Sequence, residues 1–138
     1  MLRQLIAAAA VVGVLAAAVP ASADDDDPLF VNLTTSEAHR ADMAMAFSKA
    51  MMGRGHPLTI WLNDRGVLLA AKEQAGQYGE QQKLLGALIA GGATVIVCPM
   101  CMKHYGVKDT DLIDGAKVGN PELTSSLLFK DDTQTLSW

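Results

Sequence analysis

The two cysteines of this chain stand three residues apart, in the segment Cys98-Pro99-Met100-Cys101. The apolar run 93–97 before them predicts a buried strand. Pro99 predicts the first turn of a helix, where the missing N–H of proline costs nothing. A thiol at such a strand-to-helix junction lies among unpaired backbone N–H groups, at the positive end of a helix dipole. This position favours the thiolate, the reactive form of cysteine.

Four kinds of chemistry fit this spacing. Cys98 could act as a nucleophile that carries sulfur as a persulfide, or the pair could exchange between dithiol and disulfide. The third interpretation is a soft-metal site for copper(I) or zinc, because sulfur and imidazole donors crowd into seven residues. Those donors are Cys98, Met100, Cys101, Met102 and His104. The fourth is a small structural disulfide, or two buried thiols at a helix start. The metal interpretation has a weakness, since on a helix the two methionines point away from the cysteine face.

The N-terminus has the three-part layout of a secretory signal peptide. Arg3 supplies the positive charge, residues 5–19 are apolar, and Ala21-Ser22-Ala23 is a small-x-small cleavage signal. The apolar run is shorter than the ~20 residues of a membrane-spanning helix, so an uncleaved anchor is the weaker alternative. We therefore predict a signal peptide over 1–23, an acidic disordered leader over 24–28 and one domain over 29–138. Export to a bacterial periplasm, an oxidising compartment, follows, without stable membrane insertion after cleavage.

Charge and cysteine count narrow the function further. The chain has 11 basic and 15 acidic residues, a net charge of −4, and cleavage would also remove Arg3. A nucleic-acid partner would require a basic patch, so none is expected. Two cysteines are too few to form a disulfide scaffold that holds the whole fold, so we expect the pair to act as a local site.

Apolar strand patterns alternate with helical patterns along the domain. Strands are predicted at 29–33, 58–62, 93–97, 116–118 and 133–138, and helices follow them. Thr34 and Glu37 fit a capping box at the start of the first helix. The stretch 75–79 is predicted to be a loop, and a helix is predicted over 80–90. Alternation of this kind predicts an α/β fold with a mostly parallel sheet.

In open parallel sheets the functional crevice lies at the carboxyl ends of the strands. Several polar side chains should therefore gather at one edge of the sheet. They are Asn32, Thr34 and His39 after the first strand, Asn63 and Asp64 after the second, and Cys98 after the third.

Short motifs in a fixed order give the chain a family resemblance. They are Phe30-Val31-Asn32-Leu33-Thr34-Thr35, His39-Arg40, Gly66-Val67-Leu68-Leu69-Ala70, Val95-Ile96-Val97-Cys98, Cys101, Gly106-Val107, Asp111-Leu112-Ile113 and Lys117-Val118-Gly119. Over nearly the whole domain the chain resembles the DsrE/DsrF-like family, the sulfur-relay proteins that include the TusD type.

The resemblance implies a three-layer α/β/α sandwich, flavodoxin-like, that assembles as a homotrimer or homohexamer. It marks Cys98 as the position that carries persulfide sulfur, while Cys101 is shared with a Cys-x-x-Cys subset of the family. The partners it implies are sulfur donor and acceptor proteins or small sulfur compounds.

The resulting hypothesis is an exported sulfur-relay or thiol-redox protein, a candidate sulfurtransferase that needs no cofactor or metal. Cys98 carries the sulfur, Cys101 is the resolving thiol, and His104 and His39 are candidate proton partners. The alternative is a non-enzymatic module that binds copper or a protein partner, with a structural disulfide between Cys98 and Cys101.

Overall fold

Five parallel strands make a single sheet at the centre of the protein. The computed structural model describes Asp24 and residues 26–138. The strands are β1 Leu29–Leu33, β2 Leu58–Leu62, β3 Thr94–Val97, β4 Lys117–Val118 and β5 Gln134–Ser137. Their order across the sheet is β4-β3-β2-β1-β5. The predicted parallel α/β fold is confirmed, whereas the predicted signal peptide lies outside the described residues.

Four helices and three short 3₁₀ segments connect the strands. The helices are α1 Ala38–Met52, α2 Ala75–Ala90, α3 Pro99–Tyr105 and α4 Pro121–Leu128, and the 3₁₀ segments are Asp64–Ala70, Lys72–Gln74 and Asp109–Asp111. Parallel strands are joined by right-handed crossovers. The chain steps in one direction from β1 to β4 and then returns past β1 to β5, so this rule places α4 on the face opposite α1, α2 and α3. Within the described residues, no helix is both long and apolar enough to cross a membrane.

The main core lies between the sheet and one helical layer. Alternate residues of β1, β2 and β3 point to this face and are almost completely buried, as expected for strands covered on both sides. The helices contribute a matching apolar stripe. The buried set includes Val31, Leu33, Ile60, Leu62, Val95 and Val97 from the strands and Ala41, Ala44, Met45, Leu85, Leu88 and Met102 from the helices.

The opposite face of the sheet carries the other alternate residues. Phe30 and Ile96 are buried there, and Phe30 meets Trp61 edge to face with ring centroids 6.2 Å apart. Asn120 begins α4 as predicted: its side-chain oxygen accepts the N–H of Leu123 at 2.8 Å. The start of α4 lies near Trp61, since Asn120 and Pro121 line the same pocket as Trp61 at the carboxyl end of the sheet.

The predicted start of α1 is wrong by one turn. Glu37, not Thr34, is the capping residue, because its own carboxylate accepts the N–H groups of His39 and Arg40. These two bonds favour the charged carboxylate and lower the pKa of Glu37. Thr34 instead donates its hydroxyl proton to the carbonyl oxygen of Trp138 at 2.6 Å.

The predicted loop at 75–79 is also wrong, since these residues form the first turn of α2. The pattern is obscured by a kink at Tyr78, whose backbone angles are not helical. Tyr78 is buried, and its hydroxyl donates to Ser36 at 3.1 Å. The hydrogen bond from Tyr78 to Ser36 thus stabilises the first turn of α2. Gly76 and Gly79 in this turn have low helix propensity and therefore favoured the prediction of a loop.

Candidate functional site

The strand register brings the predicted site to one edge of the sheet. Leu33 is level with Leu62, Leu62 with Val97, and Val97 with Val118. Ladder hydrogen bonds continue one residue further: Asn63 N–H donates to Leu33, Cys98 N–H to Leu62 and Gly119 N–H to Val97. Cys98 therefore lies between Asn63 and Gly119 on the rim of the sheet.

Four side chains make up what we call the thiol cluster: Asp64, Cys98, Cys101 and Tyr105. Cys98 directly follows β3 and is the N-cap residue of α3, and Cys101 lies one turn later on the same helix. Both are partly exposed free cysteines in this structure. The backbone N–H of Asp64 donates to the Cys101 sulfur at 3.1 Å, so the segment after β2 holds the second thiol in place.

Tyr105 completes the thiol cluster from the last turn of α3. Its hydroxyl donates to the Asp64 carboxylate at 2.5 Å, which raises the pKa of Tyr105 because the carboxylate favours the protonated phenol. Asp64 has a positive φ of 45°, a conformation that aspartate tolerates better than most residues. The sequence did not mark Tyr105, although its position four residues after Cys101 on one helix face was the available signal.

The two thiols are unequal. Burial raises the pKa of Cys101, the neighbouring Cys98 raises it further, and the N–H of Asp64 acts in the opposite direction. The net effect is an increase, so Cys101 stays a protonated thiol at neutral pH. A protonated thiol is a poor nucleophile, so Cys101 has to lose its proton, to a base or at a higher pH, before it reacts.

Limited alkylation should therefore distinguish the cysteines. We expect iodoacetamide at pH 7 to modify Cys98 before Cys101, because the pKa of Cys101 is raised, and labelling of Cys101 to increase as the pH rises. In Cys98→Ala, Cys101 should react at a somewhat lower pH, because one of the groups that raises its pKa is gone. Peptide mass mapping measures both, and equal labelling of the two cysteines at pH 7 would contradict the assignment.

Three polar side chains form a second group on the same rim, the amide cluster of Asn32, Asn63 and Ser137. Asn63 donates to the side-chain oxygen of Asn32, and Asn32 donates to the Ser137 hydroxyl at 3.2 Å. The carboxyl ends of β1, β2 and β5 are thereby tied together. Three predicted crevice residues, Asn32, Asn63 and Asp64, consequently lie in two adjacent groups, joined through the consecutive residues Asn63 and Asp64. Thr34 belongs to neither group, since its hydroxyl bonds to the carbonyl of Trp138.

Neither predicted proton partner is hydrogen-bonded to a cysteine among the described residues. His39 is exposed in the first turn of α1. His104 is exposed on α3 and packs edge to face on Tyr105, with ring centroids 4.7 Å apart. His104 is thus adjacent to the thiol cluster, and His39 belongs to another element.

The soft-metal donors do not converge. Met102 is 2% exposed and packs into the core, whereas Met100 is 80% exposed. In the part of the chain that the structure describes, no three His, Cys, Asp or Glu side chains group as metal ligands do. The described residues therefore give the cysteine pair no third and fourth ligand of the kind that a zinc site requires.

A small pocket opens beside Cys98, on the side of α4. It measures about 130 Å³. Its lining residues come from the ends of β2, β3 and β4 and the starts of α3 and α4: Trp61, Cys98, Pro99, Met100, Gly119, Asn120, Pro121 and Thr124. The sequence did not mark this pocket, because residues from five elements meet there.

Comparison with known proteins identifies the family of this chain. The sequence profile of the DsrE/DsrF-like family matches residues 29–133, which is the whole α/β unit up to β5. The chain belongs to the DsrE/DsrF-like family. An uncharacterized protein of Methanocaldococcus jannaschii, MJ0989, is 39% identical over 80 residues, covering 57% of this chain and 70% of that protein. Membership of the family suggests a role in sulfur relay.

Solved structures show the same fold for this DsrE-family protein. The YchN protein of Escherichia coli matches with a TM-score of 0.68 and 19% identity, over 82% of this chain and 99% of its own. MTH1491 of Methanobacterium thermoautotrophicum, of unknown function, gives 0.68 and 12% identity, over 82% and 100%. BT1422 of Bacteroides thetaiotaomicron gives 0.60 and 19% identity, over 81% and 95%.

Proposed function

We propose that this protein is an exported, TusD-type sulfur carrier in which Cys98 holds sulfur as a persulfide and Cys101 resolves it. The observation that carries this proposal is the thiol cluster: a partly exposed cysteine at the rim of the sheet, with a second cysteine held one turn away by Asp64. Family membership supports sulfur rather than another cargo.

Loading is a displacement at sulfur. The Cys98 thiolate attacks the outer sulfur of a persulfide donor R–S–SH, so a new S–S bond forms on Cys98 and the donor bond breaks. The products are the Cys98 persulfide and the thiolate R–S⁻, and no net oxidation occurs. The partial exposure of Cys98 gives the donor access to it.

Unloading has two routes. An acceptor thiolate can attack the outer sulfur, which moves the persulfide to the acceptor and returns Cys98 as a thiolate. Alternatively, Cys101 loses its proton and attacks the inner sulfur, which forms the Cys98–Cys101 disulfide and expels HS⁻. A dithiol reductant must then reduce the disulfide before the next cycle. The raised pKa of Cys101 delays this second route at neutral pH.

Peptide mass spectrometry with fragmentation tests the assignment. The fully reduced protein is treated with inorganic polysulfide, desalted and digested without reductant. We expect one added sulfur atom, about 32 Da from the chemistry of the step, on the peptide that contains both cysteines, and fragment ions that place it on Cys98. Cys98→Ala should gain nothing. Sulfur found on Cys101 alone, or on neither cysteine, would refute the proposal.

Thiol-disulfide exchange is the second candidate, because the same pair closes a disulfide without carrying sulfur. The polysulfide experiment separates the two. A product two hydrogens lighter, with no added sulfur at any time point, supports redox exchange. A persulfide that forms before the disulfide supports sulfur carriage.

Location and assembly are part of the proposal. The N-terminal sequence predicts cleavage after Ala23 and release into the periplasm. The mass of the mature protein should therefore match a chain that begins at Asp24. The family resemblance implies a homotrimer or homohexamer. Phe129, which follows α4, is 79% exposed, and a contact between copies would remove its ring from water. Light scattering after gel filtration measures the assembly.

A further inference from the structure

The pocket beside Cys98 offers a sulfur compound an apolar surface. Its walls are the indole of Trp61, the rings of Pro99 and Pro121 and the thioether chain of Met100. No lysine, arginine, histidine or carboxylate is among the described residues that line it. An anion placed there would lose water without gaining a charged side chain as its partner, which is unfavourable.

Gly119 keeps this pocket open. A Cβ atom at this position would lie 3.3 Å from the carbonyl oxygen of Val97 and 3.4 Å from the Thr124 hydroxyl. The backbone of Gly119 is fixed by its own N–H, which donates to the Val97 carbonyl at 2.8 Å. Gly119 therefore presents bare backbone to the pocket, and Thr124 of α4 lines the pocket next to it.

Size sets a second limit on what can bind. A volume of about 130 Å³ corresponds to roughly four groups of water size, each taking ~30 Å³. A short alkyl chain attached to sulfur fits this space. Sulfur atoms also make favourable contacts with aromatic rings such as that of Trp61.

We propose that this pocket binds the uncharged alkyl-sulfur part of a small organic persulfide and so selects neutral sulfur donors over oxyanions such as thiosulfate. The inference rests on the proposed function, since it names the donor class for Cys98. Its chemistry is the loading step given above, in which the alkyl group R belongs to the departing thiolate R–S⁻.

Methanethiosulfonate reagents test the pocket without any persulfide. Each transfers a group S–R to the thiolate and releases methanesulfinate, so Cys98 becomes Cys98–S–S–R. Three reagents have R groups of similar size: propyl, sulfonatoethyl and trimethylammonioethyl. Rates are measured on reduced Cys101→Ser, which leaves Cys98 as the single thiol, and are divided by the rates with a small model thiol.

We expect the propyl reagent to be favoured about tenfold over both charged reagents, as partial burial of a three-carbon chain would give. Thr124→Leu should fill the pocket and remove most of that preference. The matched control is Ser126→Leu, two residues along α4 at an exposed position outside the pocket. Thermal unfolding shows whether each variant is folded.

Three other outcomes would refute the proposal that this pocket selects uncharged sulfur donors. Equal normalised rates for the three reagents exclude selection by an apolar site. Faster reaction of the trimethylammonioethyl reagent than of the other two would show attraction to the net negative charge of the protein, not binding in an apolar pocket. The same loss in Ser126→Leu as in Thr124→Leu would show a general effect of α4. None of these results affects the polysulfide experiment. The proposed donor class can therefore be refuted while sulfur carriage by Cys98 is still supported.

Discussion

Replacing Cys101 with serine should trap sulfur on Cys98. The variant keeps the first thiol and loses the group that expels HS⁻, so the Cys98 persulfide waits for an external thiol. Groups held next to each other react as if at very high concentration, so we expect persulfide lifetime to increase ~100-fold or more. Methylene blue detection of released sulfide, together with intact mass at timed intervals, measures it.

The controls for this experiment use the same helix. Cys98→Ser should neither load nor release sulfur, while Lys103→Arg replaces an exposed residue of α3 outside both the thiol cluster and the pocket and should behave as wild type. Release should accelerate in wild-type protein as the pH rises, because the raised pKa of Cys101 means that its thiolate appears only in the alkaline range. Cys101→Ser should lack this acceleration. Equal persulfide lifetimes in wild type and Cys101→Ser would exclude Cys101 as the resolving thiol.

Gly66→Ala should destabilise the domain and disturb the thiol cluster together. A Cβ atom at Gly66 would overlap the backbone carbonyl of Leu33 at the end of β1. Backbone cannot turn aside as a flexible side chain can, so the 3₁₀ segment Asp64–Ala70 has to shift. Overpacking of this kind costs about 1–3 kcal/mol of unfolding free energy. Since Asp64 begins this segment, Cys101 should also lose its N–H donor.

Gly86→Ala is the matched control for that substitution. Gly86 lies inside α2, and a Cβ atom there meets no other atom within 4 Å. Alanine should therefore stabilise the helix by about 0.5–1 kcal/mol. Urea unfolding measures both free energies. A neutral or stabilising Gly66→Ala would show that close approach to β1 is not what requires glycine at this position.

The sequence predicted the sheet well because buried parallel strands have a strong local signature. The run at 94–97 is apolar on both faces, and the flush strand ends then put Cys98 on the rim without further information. The start of α4 was equally local, since Asn120 and Pro121 have the residue types of a helix N-terminus.

Contacts between distant segments could not be predicted in this way. Helical spacing places Phe47 on the same face of α1 as the buried Ala44, but Phe47 is 38% exposed and packs against Trp138, with ring centroids 5.8 Å apart. Met45 of the same helix is buried. Tyr105 gained its role only because the chain after β2 places Asp64 opposite α3. A pattern within one helix carries no information about such partners.

The strand order also leads to an expectation about how the site is assembled during folding. The hydrogen bonds of the thiol cluster join residues 37 and 41 positions apart, whereas the amide cluster joins Asn32 to Ser137 across 105 residues. Closing a longer loop costs more conformational entropy. We therefore expect the thiol cluster to form while one edge of β1 is still open, and β5 to complete the sheet around a site that already exists.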